Sequence, residues 1–182
     1  MFHSREATDD QDKVYALLGM SSDGHIPESL SPDYQVTWKE LLCRLCKYIM
    51  GERTSVEVWH LKKSCVIRSK SCVLGSVQEV KCTGELGDQV VLGINLAAQG
   101  IRSWARIYRD HRLQVTFPTP AKVIQERDVL YLLQESSTPM IVRPCEDYWA
   151  IIVIFVPIPG FELADMSLIE VHFAHDFLGV WD

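Results

Sequence analysis

The chain has 182 residues, of which 47% are hydrophobic, and a formal net charge of −6. This length suffices for one domain with a core, and the negative charge excludes the basic footprint of a nucleic-acid-binding protein. The best apolar run, residues 149–159, has about half of the ~20 residues that a membrane-spanning helix needs. Because residues 1–5 do not read as a secretory signal, we expect a soluble cytoplasmic protein with no membrane span and no nucleic-acid partner.

Residues 5–19, REATDDQDKVYALLG, combine six charged residues with an apolar end. Thr8 or Asp9 is a suitable N-cap, and acidic residues at a helix start are favoured by the helix dipole. The apolar residues at helical spacing are Val14, Leu17 and Leu18, followed by Gly19 as the expected stop. A calcium loop would also need a central Gly and a closing Glu, which are missing. The charges predict a partly buried ionic network of Arg5, Asp9, Asp12 and Lys13 that anchors this first helix.

A second helix is predicted after a polar loop that contains two prolines. Thr37 and Glu40 have the spacing of a capping box, and Gly51 is the expected stop. The apolar stripe between them consists of Trp38, Leu41, Leu42, Leu45, Tyr48 and Ile49.

Six cysteines occur, and without a secretory signal we expect them to be reduced thiols. Cys43 and Cys46 form a C-x-x-C inside the second helical pattern, and no second C-x-x-C follows to complete a zinc site. A thioredoxin-type pair would open a helix directly after a strand, so a redox site is also poorly supported. We expect neither a metal nor a cofactor.

Beyond residue 51 the pattern changes to short β-branched runs, which predict strands. Their members include Val56, Val58, Val66, Ile67, Val73, Val77 and Val80, and further strands are predicted at 89–94, 113–117, 128–133, 140–143, 148–156 and 167–173. Residues 95–110 are ambiguous between a helical turn and an excursion over the sheet, and Gly84 and Gly87 indicate a hairpin turn. Together these patterns predict an α+β fold: two N-terminal helices packed on an antiparallel β barrel or a strongly curled sheet. We expect a single domain, helical over 1–51 and β-rich over 52–182.

Several segments resemble fungal heterokaryon-incompatibility (HET) proteins. The opening segment is similar to REATDP-x-DKVYALLG of that family, and KSCVLG at 70–75 is similar to KGCVLG. Residues 121–128, AKVIQERD, resemble AKPIQEGD, with Arg127 where the family usually has Gly. Residues 132–147 resemble LLQGASKPTIIRPCED, and FLGVWD at 177–182 resembles FLLVWD.

The resemblance covers a region that normally follows the HET core and precedes repeats, and neither is visible in this sequence. It therefore implies a free-standing HET-like domain, and such fungal proteins are similar to members of natural-product gene clusters. The implied function is a cofactor-independent pericyclase, which performs a norbornene-forming intramolecular Diels–Alder cyclisation of an apolar polyene, an oxidised terpenoid. The alternatives are a non-enzymatic HET-derived interaction or regulatory domain and an inactive truncated product.

The residues themselves offer no G-x-S-x-G elbow, phosphate-binding loop or dinucleotide fingerprint. A cyclase of this kind needs only an apolar pocket that folds the substrate and a donor for its carbonyl. The candidate donors are Arg143, Tyr131 and His172, and the candidate substrate-binding residues are Trp104, Tyr148 and Trp149. We expect the pocket between the sheet and residues 95–110.

Two of these donors have competing structural interpretations. Alternation puts Arg143 on the same face as Ile141, but an ion pair with Glu146 or Asp147 would also explain it. His172 is three residues before His175, and on a strand the two side chains would face opposite ways, so joint metal binding is not expected. A buried core histidine is the simpler interpretation of His172.

Overall fold

The computed structural model describes residues 10–20, 27–59, 64–84, 87–97, 112–158, 173 and 175–181. These residues form two α-helices, α1 (Asp10–Met20) and α2 (Trp38–Met50), with a 3-10 turn at Glu28–Leu30 between them. They also form eight strands: β1 (Ser55–Trp59), β2 (Ser64–Thr83), β3 (Gln89–Leu96), β4 (Arg112–Pro118), β5 (Val129–Leu133), β6 (Met140–Pro144), β7 (Trp149–Val153) and β8 (His175–Trp181).

The eight strands belong to one sheet in the order β4-β3-β2-β5-β6-β7-β8, with β1 paired to β2. A further pairing of β2 with β8 closes β2, β5, β6, β7 and β8 into a ring. All pairs are antiparallel except β7 and β8, which run parallel. The α+β prediction is confirmed in the form of a strongly curled, mixed sheet that is ring-like without being a barrel.

The long strand β2 organises this sheet. The runs around Ile67, Val73 and Val80 were expected as separate short strands, but they lie on one strand of 20 residues that pairs with β1, β3, β5 and β8. Register irregularities at Val73/Gly75 and Val77/Glu79 interrupt its ladders, and such bulges bend and twist a strand. They allow one strand to serve both halves of the curled sheet.

The sheet carries a core on each face, and β5 separates them. Leu130 and Leu132 belong to the first core, whereas Tyr131 and Leu133 belong to the second, as the alternation of a strand requires. We call the second the helix-facing core, because α2 packs on it. Its fully or nearly buried members include Leu42, Cys46, Met50, Cys65, Ile67, Tyr131, Leu133, Met140, Val142, Ile151 and Phe177.

Helix α2 has the ends that its sequence predicts. The Thr37 hydroxyl accepts a hydrogen bond from the Glu40 backbone N–H at 3.3 Å, and Gly51 ends the helix at φ 104°. The Glu40 carboxylate pairs with Arg44 at 2.6 Å. The predicted apolar stripe is wrong at Tyr48, which is exposed.

Helix α1 continues to Met20, past Gly19, which was expected to end it. Gly19 lies inside the helix, and Leu17 is 66% exposed, so both of these assignments were wrong. The buried face instead contains Gln11 and Tyr15. The Gln11 side-chain amide donates to the Val36 carbonyl oxygen at 2.7 Å, and these contacts attach α1 to the segment before α2.

The predicted ionic network around α1 lies only partly within the described residues. The Asp12 carboxylate accepts a hydrogen bond from the Tyr34 hydroxyl at 2.9 Å, and this contact is exposed. Lys13 is exposed as well, while Arg5 and Asp9 lie outside the described residues. An exposed contact of this kind contributes little to stability.

The remaining strands differ from the prediction mainly in their bounds. The run at 148–156 forms the shorter β7, and β8 was not predicted as a strand. The run at 167–173 lies outside the described residues apart from Phe173. Within the described part of the chain, neither helix has the length and apolar character needed to cross a bilayer.

Candidate functional site

Tyr131 lies in the middle of β5, opposite Val73 of β2 and Met140 of β6. Its side chain points into the helix-facing core and is 5% exposed. The ring centroid is 4.9 Å from that of Trp149 and 5.6 Å from that of Phe177, at interplanar angles near 50°. These tilted contacts are favourable for aromatic rings. We call Tyr131, Trp149 and Phe177 the aromatic cluster.

The parallel pairing of β7 with β8 assembles the other side of this cluster. Trp149 is the register partner of Gly179, and a Cβ at Gly179 would meet the ring of Phe177 and the side chain of Ile151. Only a residue without a side chain leaves room for the Phe177 ring beside β7. Sequence reasoning missed Phe177 and Gly179, although the alternation of FLGVW in β8 could have indicated them.

The Tyr131 hydroxyl is a buried polar group without a hydrogen-bond partner among the residues that the structure describes. Burial raises the pKa of Tyr131, with a further contribution from the nearby Cys72 thiol. The hydroxyl therefore stays protonated and can donate a hydrogen bond at any physiological pH. A buried hydroxyl with no partner costs free energy, and a carbonyl that accepts from it would recover this cost.

Trp149 is only partly buried and packs against the helix-facing core. It thus contacts the buried Tyr131 ring while part of its own surface reaches solvent.

Arg143 is committed to an internal ion pair. Its Nε donates to Asp128 Oδ1 at 2.8 Å and an Nη donates to Asp128 Oδ2 at 2.9 Å. The same Nη donates to the Val123 carbonyl oxygen at 2.8 Å, and the hydrogen bond with Asp128 raises the pKa of Arg143. An ion pair was one of the two interpretations of Arg143, but its partner is Asp128 rather than Glu146 or Asp147.

Asp128 also fixes the turn that precedes β5. Its Oδ2 accepts from the Gln125 backbone N–H at 2.8 Å, and its carbonyl oxygen accepts from the Val77 N–H at 2.8 Å. The Arg127 N–H donates to the Val77 carbonyl at 2.8 Å, and Arg127 has a φ of 74°. These hydrogen bonds attach the turn before β5 to the β2 bulge at Val77. Arg143 adds the ion pair that holds the Asp128 side chain in this turn.

The structure brings together two of the predicted site residues, Tyr131 and Trp149. Arg143 is separated from them, because it shares the face of Ile141, whereas Val142 points into the helix-facing core. Tyr148 is 42% exposed. Trp104, His172 and the pocket expected beside 95–110 lie outside the described residues except for 95–97, and His175 is exposed at the start of β8.

Three open clefts are lined by described residues, and neither Tyr131 nor Trp149 lines any of them. The first, of about 420 Å³, lies over the β2–β8 pairing and includes Arg53, Lys70, Asp176 and Phe177. The second, of about 280 Å³, includes Glu79 and Arg112. The third, of about 390 Å³, is lined by Pro139, Phe155, Pro157 and Ile158, among others.

Within the described ranges, no three or more His, Cys, Asp or Glu side chains are grouped so that they could hold a metal ion. Comparisons with known proteins add no assignment: no family model, curated protein or solved structure matches this chain significantly.

Proposed function

We propose that the protein is a cofactor-independent pericyclase that closes an oxidised terpenoid by a norbornene-forming intramolecular Diels–Alder reaction. The observation that carries the proposal is the buried Tyr131, whose hydroxyl lacks a partner among the described residues and whose ring contacts the rings of Trp149 and Phe177. A protonated hydroxyl can donate a hydrogen bond to the single carbonyl of an apolar substrate, and the neighbouring aromatic rings can contact the rest of that substrate.

The reaction itself requires little of the protein. A diene and an alkene of one molecule form two new carbon–carbon σ bonds, three π bonds are replaced by one, and no atom is gained or lost. The protein has to fold the flexible chain into its reactive shape and polarise the carbonyl attached to the alkene. Tyr131 would donate to that carbonyl oxygen, and Trp149 would pack against the polyene.

Sequence resemblance supports the same function independently of geometry. The segments at 5–19, 70–75, 121–128, 132–147 and 177–182 resemble HET proteins. In its length and HET-like segments the chain also resembles the norbornene-forming Diels–Alderase of sordaricin diterpene biosynthesis. Membership of the HET-related proteins is part of this proposal.

The proposal is tested with a terpenoid that carries a cyclopentadiene and an enal. Cyclisation is followed with the purified protein, with heat-denatured protein and with buffer alone. We expect the native protein to raise the rate and to change the ratio of stereoisomers. Equal rates and equal ratios in the three samples would refute the function, because the spontaneous reaction would then account for all product.

A second candidate function is a non-enzymatic interaction or regulatory domain. It is favoured by the cleft at Pro139, Phe155 and Ile158, where the Phe155 side chain is 58% exposed. Exposed apolar surface at a cleft is typical of protein contacts. This function predicts that Phe155→Ser weakens self-association in sedimentation experiments and leaves the circular dichroism spectrum unchanged. A protein that is monomeric at all concentrations, with or without the substitution, would contradict self-association through this cleft.

A further inference from the structure

Two thiols of the helix-facing core are in direct contact. Cys46 lies on α2 and Cys65 on β2, both are buried, and their Sγ atoms are 3.9 Å apart. The two residues are 19 positions apart in sequence, so the contact joins the helix to the sheet. The C-x-x-C partner suggested by the sequence, Cys43, instead directs its Sγ at the Val56 carbonyl oxygen, 3.8 Å away.

The two sulfurs are not chemically equivalent. The hydrogen bond with Cys65 and burial raise the pKa of Cys46, and the hydrogen bond with Cys46 lowers the pKa of Cys65. Either sulfur can be the donor of the S–H···S contact. The Cys65 sulfur is the one that becomes a thiolate more readily, and thiolates are the nucleophiles of cysteine chemistry.

We propose that Cys46 and Cys65 form an oxidisable dithiol, whose disulfide fastens α2 to β2. A disulfide has a sulfur–sulfur distance of about 2.05 Å, so the two Sγ atoms have to approach by roughly 2 Å. Rotation about the two Cα–Cβ bonds changes the distance between these atoms. The inference does not depend on the proposed cyclase function.

Hydrogen peroxide is a sufficient oxidant for this step. The Cys65 sulfur attacks one peroxide oxygen, the O–O bond breaks, and the departing hydroxide takes up the thiol proton to leave as water. The Cys46 sulfur then displaces the hydroxyl group from Cys65, so that the S–S bond forms and a second water leaves with the Cys46 proton. Two thiols lose two electrons in total, and one peroxide is reduced to two waters.

The chain provides matched controls for this pair. Cys72 is buried on the same strand, where desolvation raises its pKa to about 11, and Cys82 is exposed. Because Cys46 and Cys65 are buried, a small oxidant has to reach them through local opening of the structure. Bulky thiol reagents should therefore modify Cys82 first.

The test oxidises the full chain with hydrogen peroxide, blocks the remaining thiols in denaturant and maps the peptides by mass spectrometry. We expect a product two hydrogen atoms lighter in which Cys46 is linked to Cys65. Closing this loop should raise Tm by about 5–10 °C, and dithiothreitol should reverse the shift. Cys65→Ala should abolish the product, whereas Cys72→Ala should retain it.

The proposal is overturned if both thiols remain open to alkylation after oxidation, or if Cys43–Cys46 is the main linkage. Because the peptide map is made on the unmodified chain, this result does not depend on how well the variants fold. A linked product that leaves Tm unchanged would contradict the fastening of α2 to β2.

Discussion

The Arg143 guanidinium donates two hydrogen bonds to the Asp128 carboxylate, at 2.8 and 2.9 Å, and the Asp128 side chain is only 2% exposed. A carboxylate buried to this degree depends on its charged partner. The pair connects the end of β6 to the turn before β5, and it keeps that turn on the bulge of β2 at Val77.

Arg143→Ala should lower the free energy of unfolding by about 3 kcal/mol, because it leaves the buried Asp128 carboxylate unpaired. Urea denaturation measures this change. Arg68→Ala is the matched control, since Arg68 is 56% exposed and lies 4.0 Å from its carboxylate partner Glu57. Arg68→Ala should lower the free energy of unfolding by less than about 1 kcal/mol. Unchanged stability of Arg143→Ala, together with lost turnover, would return Arg143 to the role of substrate donor.

Arg127→Gly should stabilise the protein by about 0.5–1 kcal/mol, because Arg127 has a φ of 74° that L side chains adopt only with strain. The segment AKPIQEGD, which residues 121–128 resemble, has Gly at this position. Arg127→Ala is the control, since alanine keeps the strain and should give no gain. If both variants have the same stability in urea denaturation, backbone strain at residue 127 is not the cause.

Gly179→Ala should destabilise the protein by about 1–3 kcal/mol, because the new methyl group would collide with the Phe177 ring and Ile151. Tryptophan fluorescence should change as well, since Phe177 and Trp149 both contact Tyr131. Gly19→Ala is the control: its Cβ would meet nothing within 4 Å, and it should stabilise α1 by about 0.5–1 kcal/mol. A thermal melt of Gly179→Ala identical to that of the natural chain would contradict the packing of the cluster.

Tyr131→Phe should leave the free energy of unfolding unchanged or raise it by about 1 kcal/mol, because it removes a buried hydroxyl without a partner among the described residues. The phenyl ring keeps its contacts with Trp149 and Phe177. A loss of stability would mean that the hydroxyl is satisfied inside the folded chain and is not available to a substrate.

Short sequence patterns correctly predicted the ends of α2 and the turn between β2 and β3. Thr37 and Gly51 mark the ends of α2, and Gly84 and Gly87, both at positive φ, form the turn between β2 and β3. The continuity of β2 could not be predicted, because its ladders with four other strands depend on residues far away in sequence. β8 was missed because Gly179 weakens its strand pattern, and the need for a glycine arises only from the Phe177 ring packed against it.

For the candidate site, the sequence predicted candidate residues but not which of them are in contact. Tyr131 and Trp149 were predicted from residue type, but their contact depends on the registers of β5, β6 and β7. The partner of Arg143 was expected among the nearest acidic residues, yet it lies 15 positions upstream. That pairing follows from the turn at 125–128 and its attachment to β2, neither of which has a signature in the sequence near Arg143.

The most direct test of the proposed function compares cyclisation by the natural chain and by Tyr131→Phe under identical conditions, with the diene–enal terpenoid as substrate. The two proteins differ in one hydroxyl group, and the aromatic cluster is otherwise the same. We predict that the natural chain accelerates the reaction and that the variant loses up to about 10²-fold of this acceleration, the scale of one positioned donor. Equal acceleration by both proteins would contradict the role of the Tyr131 hydroxyl, and the absence of acceleration by the natural chain would contradict the cyclase itself.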